Sequence, residues 1–177
     1  MYAEILQLIA RLPERRPCTA LPDRLAPLFH RLAGASTAAE AAATEDFIWS
    51  LWKTHPNRAA EHVLNLATND IAARRFDIAD TRLTRLLRSR PDFAEAWNKR
   101  ATLYYLLGRD EECINDISRA LELEPRHFGA LAEFGEVCLA HGDNEAALFV
   151  FRATLRIHPH MEIVARNCRD LLNGDPA

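Results

Sequence analysis

The sequence predicts an all-α fold, an α-solenoid of three helix pairs with a helical N-terminal extension and a C-terminal capping helix. Three observations predict it. Pro91, Pro125 and Pro159 recur at intervals of 34 residues, and a fixed period of this size marks a repeat array. The segments they close, 60–91, 94–125 and 128–159, each carry two stretches with apolar residues three and four apart, the period of an amphipathic helix. A turn signal separates the two stretches, with Gly108 and Gly142 one period apart.

The chain divides accordingly. Residues 1–20 read as a short amphipathic helix over 1–12 and a polar linker with two prolines. Residues 21–56 read as a degenerate helical hairpin that covers the first repeat. Its first helix, 21–32, is bent or started late by Pro27. Its second opens on a capping-box pair, Thr37 with Glu40, and ends at His55-Pro56 behind an apolar edge of Phe47, Ile48, Leu51 and Trp52. The repeats occupy 57–160, and 161–177 is a capping helix with a tail. In that helix Val164, Ala165, Cys168, Leu171 and Leu172 form the apolar side. Both ends of a solenoid expose an apolar face that needs such covers.

The middle repeat has the cleanest signals. Asp92 with Glu95 has capping-box spacing, and Ala94, Trp97, Ala101, Tyr104 and Leu107 form one helical face. Gly108 supplies a left-handed C-cap, and Asp110 is the expected N-cap of the second helix, whose stripe is Ile114, Ile117, Ala120 and Leu121. The third repeat repeats the scheme with Leu131, Phe134, Gly135 and Cys138, the turn 142–144, then Ala147, Phe151 and Leu155. The first repeat is looser. Arg74-Arg75 replaces the turn glycine, at a cost of up to about 1 kcal/mol if that residue is left-handed. Asp70 stands at the position of Tyr104 and needs a partner, for which Arg74 is the nearest cation. This repeat is expected to open first, and Asp70→Tyr to be neutral or stabilising, because each repeat of such an array touches only its neighbours.

Trp97, Ala101, Tyr104, Gly108, Cys113, Ala120 and Pro125, echoed by Gly135, Gly142, Ala147, Phe151 and Pro159, resemble the tetratricopeptide-repeat (TPR) signature. The resemblance covers about residues 58–160 and extends to short stand-alone bacterial proteins with a helical segment before three repeats. It implies a right-handed superhelix whose concave face, built from the first helix of each repeat, holds a peptide or partner helix. It therefore implies a non-enzymatic interaction module or adaptor. The concave positions by helical spacing are Asn65, Thr68, Asn69, Asn98, Lys99, Thr102, Tyr105, Glu133, Glu136 and, from the cap, Asn167. A TPR subgroup clamps the C-terminal carboxylates of chaperones. Its clamp positions fall here on Leu64, Thr68, Lys99, Gly129 and Glu133; only Lys99 has the right chemistry, so chaperone-tail binding is disfavoured.

Composition narrows the function further. The apolar fraction of 49% and charged fraction of 27% are those of a globular chain. No run approaches a membrane span and no export signal opens the chain, which leads to the expectation of a cytoplasmic protein. Lys53 and Lys99 are the only lysines, which with the many alanines suits a GC-rich, bacterial coding sequence. Residues 1–90 carry 13 basic and 10 acidic side chains and residues 91–177 carry 9 and 15, so neither half steers a polyanion strongly. Arg82, Arg85 and Arg88 form a basic stripe, yet no aromatic interleaves it, which disfavours nucleic acid. Cys18, Cys113, Cys138 and Cys168 have no metal-ligand spacing and are expected as reduced thiols. His158 and His160 lack a third ligand at helical spacing, so no metal is expected. No catalytic motif or cofactor loop is present. The alternative to a groove-binding adaptor is self-association through the aromatic segment of Phe29, Phe47, Trp49 and Trp52.

Overall fold

The computed structural model describes residues 2–173; Met1 and the tail 174–177 lie outside them. It is all-helical: α1 (Tyr2–Arg11), α2 (Leu25–Ala33), α3 (Ala38–Trp52), α4 (Arg58–Ala72), α5 (Phe76–Ser89), α6 (Ala94–Leu106), α7 (Asp110–Leu123), α8 (Phe128–Ala140), α9 (Asn144–Ile157) and α10 (Glu162–Asn173). Helices α4 to α9 form three antiparallel pairs stacked in sequence, and α10 packs on α9. The first helices, α4, α6 and α8, pack on one another more closely than the second helices do, so they line the inner, concave side.

The period is visible in the backbone. Arg74, Gly108 and Gly142 all have positive φ, at 57°, 66° and 72°, and each lies in the short turn between the two helices of its repeat. Arg74 thus adopts the left-handed conformation that a side chain disfavours. Small residues hold the helices close. At Gly135 a Cβ would run into the Phe151 ring across the third pair, and Ala67, Ala101, Cys113 and Ala147 are fully buried at comparable crossings.

The caps differ in detail from the sequence reading. Thr37 accepts from the Glu40 amide as expected, but the Glu40 carboxylate turns to Ser36. The N-cap of α6 is Phe93, with no side-chain bond, and Glu95 is drawn inside, so the Asp92–Glu95 box does not form. Arg109, not Asp110, caps α7. Leu172 and Phe47 are exposed, at 58% and 57%, because Leu171 and Cys168 complete the α10 face and Ile48 and Trp52 that of α3.

The largest departure is the N-terminal segment. Helix α1 lies in the furrow between α7 and α9, where Ile5, Ile9 and Leu12 join the core of the second and third repeats. The chain then crosses the loop edge, where the Cys18 amide donates to the Leu123 carbonyl at 2.7 Å. The α2–α3 hairpin does not cover the first repeat. Its core of Leu25, Phe29, Leu32, Ala41, Ile48 and Trp52 closes on Phe128, with Ile157 and Met161 at its edge. Phe128 and His127 offer ring faces to two tryptophans, whereas the corresponding positions of the first repeat are Ala60 and Ala59. The array is therefore not coupled only through adjacent repeats.

We expect Gly135→Ala to destabilise the protein by about 1–3 kcal/mol, through overpacking against Phe151, measured by denaturant unfolding. Arg74→Gly should raise stability by up to about 1 kcal/mol by relieving the left-handed backbone.

Candidate functional site

The concave face is organised by one buried carboxylate. Glu95, in the first turn of α6, has no exposed surface. Its Oε2 receives hydrogen bonds from His127 Nε2 and Asn98 Nδ2, both at 3.0 Å, and Lys99 Nζ sits 3.3 Å from Oε1. His127 Nδ1 accepts the Ala130 amide, so the proton of the neutral ring is on Nε2 and points at Glu95. Burial pushes the Glu95 carboxyl up, but the His127 hydrogen bond and the Lys99 charge outweigh it and hold the group ionised, below its ordinary value.

The hairpin docks on this arrangement. Trp52 stacks flat on His127, with ring centroids 4.0 Å apart and planes 6° from parallel. Trp49 meets Trp52, His127 and Phe128 edge-on and lies under the Lys99 ammonium at 5.3 Å. Gly129 makes room for it: a Cβ there would strike the Trp49 ring. Glu45, one turn before Trp49, accepts both Trp49 Nε1 and His158 Nε2 at 3.1 Å; the His158 bond is the main cause of its lowered carboxyl pKa. His55, just past α3, stacks near Phe93. Helix α3 thus runs along the start of the first helices and fills part of the groove.

The predicted groove residues separate into two groups. Asn98 is buried and Lys99 half-buried, both engaged with Glu95; they support α3 rather than face open solvent. Asn65, Asn69 and Tyr105 are exposed on α4 and α6. Thr68 is half-buried and bonds back to the Leu64 carbonyl. Thr102 reaches Glu133 Oε2 at 2.9 Å and the Asn98 carbonyl at 3.1 Å, and Asn167 donates to Glu136 at 2.8 Å. Sequence reasoning missed Glu95, Trp49, His127 and His158 as site builders. Glu95 at a helix start resembles a capping residue, and only the 32 residues separating it from His127 hide their contact.

Burial lifts the Glu133 carboxyl to about 7, against the opposing Thr102 bond and Lys99 charge. The geometry agrees with a protonated form. Thr102 has one proton and two acceptors in reach, so a Glu133 O–H donating to Thr102 frees the threonine to donate to Asn98.

The basic stripe divides too. Asp70, 4% exposed, accepts from Arg75 at 2.9 and 2.7 Å and from Arg82 at 2.7 Å. Its partners are these two and not Arg74, so the first repeat holds a specific ion triad and Asp70→Tyr would disrupt it. Arg85 and Arg88 remain exposed. Cys113, Cys138 and Cys168 are buried, Cys18 partly, and all four are free thiols. Among the described residues no three metal-binding side chains converge, and no helix is long and apolar enough to cross a membrane.

We expect Glu133→Gln to match the wild type in melting temperature near pH 5 and to exceed it above about pH 7. A carboxyl whose folded pKa is raised favours folding below its unfolded value, and that contribution is lost as pH rises to the folded one. Trp52→Ala should release the hairpin at a cost of about 3–5 kcal/mol, read as increased hydrogen exchange over α2 and α3. Asp70→Ala or Asp70→Tyr should raise exchange in α4 and α5 ahead of α6 to α9.

A sequence model of the tetratricopeptide repeat matches residues 94–127. The chain is also similar to a TPR repeat-containing protein of Rhizobium etli, at 29% identity over 147 residues, 82% of this chain and 72% of that one. The stacked helix pairs, the turn at each period and these matches together give the chain the fold of a tetratricopeptide-repeat solenoid with a helical extension, and repeats of this kind indicate protein–protein interaction in general.

Proposed function

We propose that the chain is a non-enzymatic adaptor that holds a peptide or a partner's helix in the open part of its concave face. The observation that carries this is the docking of α3. Its Trp49 lies against Gly129 and Lys99, which are two of the positions where the related clamp domains hold their ligands. A face that receives an amphipathic helix of its own chain has the shape and chemistry to receive another alongside. Next to α3 the groove offers Tyr105 for flat contact and Asn65 and Asn69 as paired donors and acceptors for an extended backbone. Glu133, Glu136 and Asn167 continue it toward α10.

Self-association through the N-terminal aromatics has less to stand on. Phe29 and Trp52 are buried and Trp49 half-buried within the chain, leaving Phe47 exposed.

The test is affinity capture from a native lysate with the wild type and an Asn65→Ala, Asn69→Ala, Tyr105→Ala triple variant. All three side chains are exposed, so the variant should melt like the wild type. Partners lost by the variant support the groove. Partners kept equally by both would remove the concave face from the account.

A further inference from the structure

Each first helix in the array except one is packed on the second helix of the preceding repeat. Across the α5–α6 junction Tyr104 donates to Asp80 at 3.1 Å and Arg100 to Thr84 at 3.1 Å. One period earlier, Asp70 and Leu66 hold the positions of Tyr104 and Arg100, and α4 has no predecessor. The chain's own candidate, α3, has gone to Phe128. The core of the first repeat, Ala60, Leu64, Ala67, Ala79, Leu83, Leu86 and Leu87, continues into Phe93, Ala96 and Leu103 but includes no residue of α1 to α3. The leading face of the array is uncovered.

That face has a distinct shape and charge. A cleft of about 340 Å³ opens between the start of α4 and the end of α5, lined by Ala59, Ala60, Val63, Leu86 and the arginines Arg82, Arg85 and Arg90. Its origin is a substitution within the repeat pattern. Val63 occupies the position of Trp97, whose indole fills the matching space in the second repeat under Arg100 and Arg119 and donates to the Pro91 carbonyl. The charge around the cleft is basic. Asp70 is consumed by Arg75 and Arg82, and Arg85 and Arg88 have no acidic partner among the described residues. Ile78, 46% exposed, adds apolar surface beside Arg82 and Arg85.

We infer that this leading face binds an acidic amphipathic helix of a partner protein, which stacks on α4 and α5 as the preceding helix of the array. An apolar side chain of that helix enters the Val63 cleft, and its carboxylates meet Arg82, Arg85 and Arg90. The array itself contains a helix of that composition. Helix α7, which precedes α8, carries five carboxylates against one arginine on an apolar stripe. The surface is separate from the concave groove and does not depend on it.

The probe is a helix-stapled, fluorescently labelled peptide of residues 110–123 with Cys113→Ser, titrated with the full chain. Binding is expected at low salt and should weaken steeply as salt is raised. Val63→Trp, which fills the cleft with the residue of the second repeat, should weaken it roughly tenfold or more. Arg85→Glu, at an exposed position that cannot unfold the repeat, should do the same, as should a peptide with its carboxylates changed to amides. Equal binding of the amide peptide, indifference to both variants, or no binding at low salt would overturn the proposal. So would tighter binding of duplex DNA than of the peptide. A dimer in light scattering that Arg85→Glu abolishes would name a second copy as the occupant and overturn it as well.

Discussion

A carboxylate with no exposed surface must be surrounded by donors, because desolvation without compensation is far costlier than any single hydrogen bond returns. Glu95 meets this requirement with groups from its own helix and from the start of the next first helix. Asn98 and Lys99 come from α6, and His127 comes from the cap of α8. Everything nearby inherits its position from that demand. The His127 ring is held in one tautomer and one plane, and it becomes the platform on which Trp52 lies. Lys99 is held where it can neutralise Glu95 and face the Trp49 ring at once. Removing the carboxylate would leave the imidazole and the ammonium without their acceptor and the hairpin without a flat seat.

The N-terminal hairpin changes what the concave face is. Part of the groove is interior, sealed by aromatic contacts whose geometry is as specific as that of a core. The remainder is polar and mildly acidic, with Glu136 tied to the capping helix and Glu133 able to carry a proton near neutral pH. A partner arriving there would meet a short channel bounded on one side by α3, not an open cradle of three repeats. On the opposite side of the array, α1 fills the furrow between α7 and α9, so the C-terminal two repeats are clasped from both faces. The first repeat is the least enclosed part of the molecule. Its buried Asp70 is held by arginines of its own pair, where the second repeat spends Tyr104 on a neighbour.

The period in the sequence carried the helix pairs, the left-handed turns and the tight crossing at Gly135, because those depend on contacts between residues a few turns apart. Arg74 was legible as a strained turn for the same reason. The destination of α2 and α3 was not. An isolated amphipathic helix advertises an apolar side but not its acceptor. The deciding feature, an absent side chain at Gly129 beneath Trp49, is a void that no local pattern displays. Which of the concave positions named from the sequence are covered by α3 depended on that same long-range fit. Asp92 and Glu95 had the spacing of a helix cap, and the local pattern pointed wrongly because a distant histidine competes for the acid and wins by removing it from water.

The Glu45–His158 hydrogen bond joins residues 113 positions apart, and α1 rests on helices that lie later in the chain. A ribosome delivers the clasp before the surface it grips. Until the third repeat emerges, the α2–α3 hairpin lacks Phe128 and α1 lacks its contact with α9, whereas the repeats can pair helix by helix as they appear. Synthesis therefore runs in one direction and completion in the other. The tryptophans spend that interval exposed, when misassociation is most readily made, and closure of so long a loop gives the final step a slower clock than the array it completes.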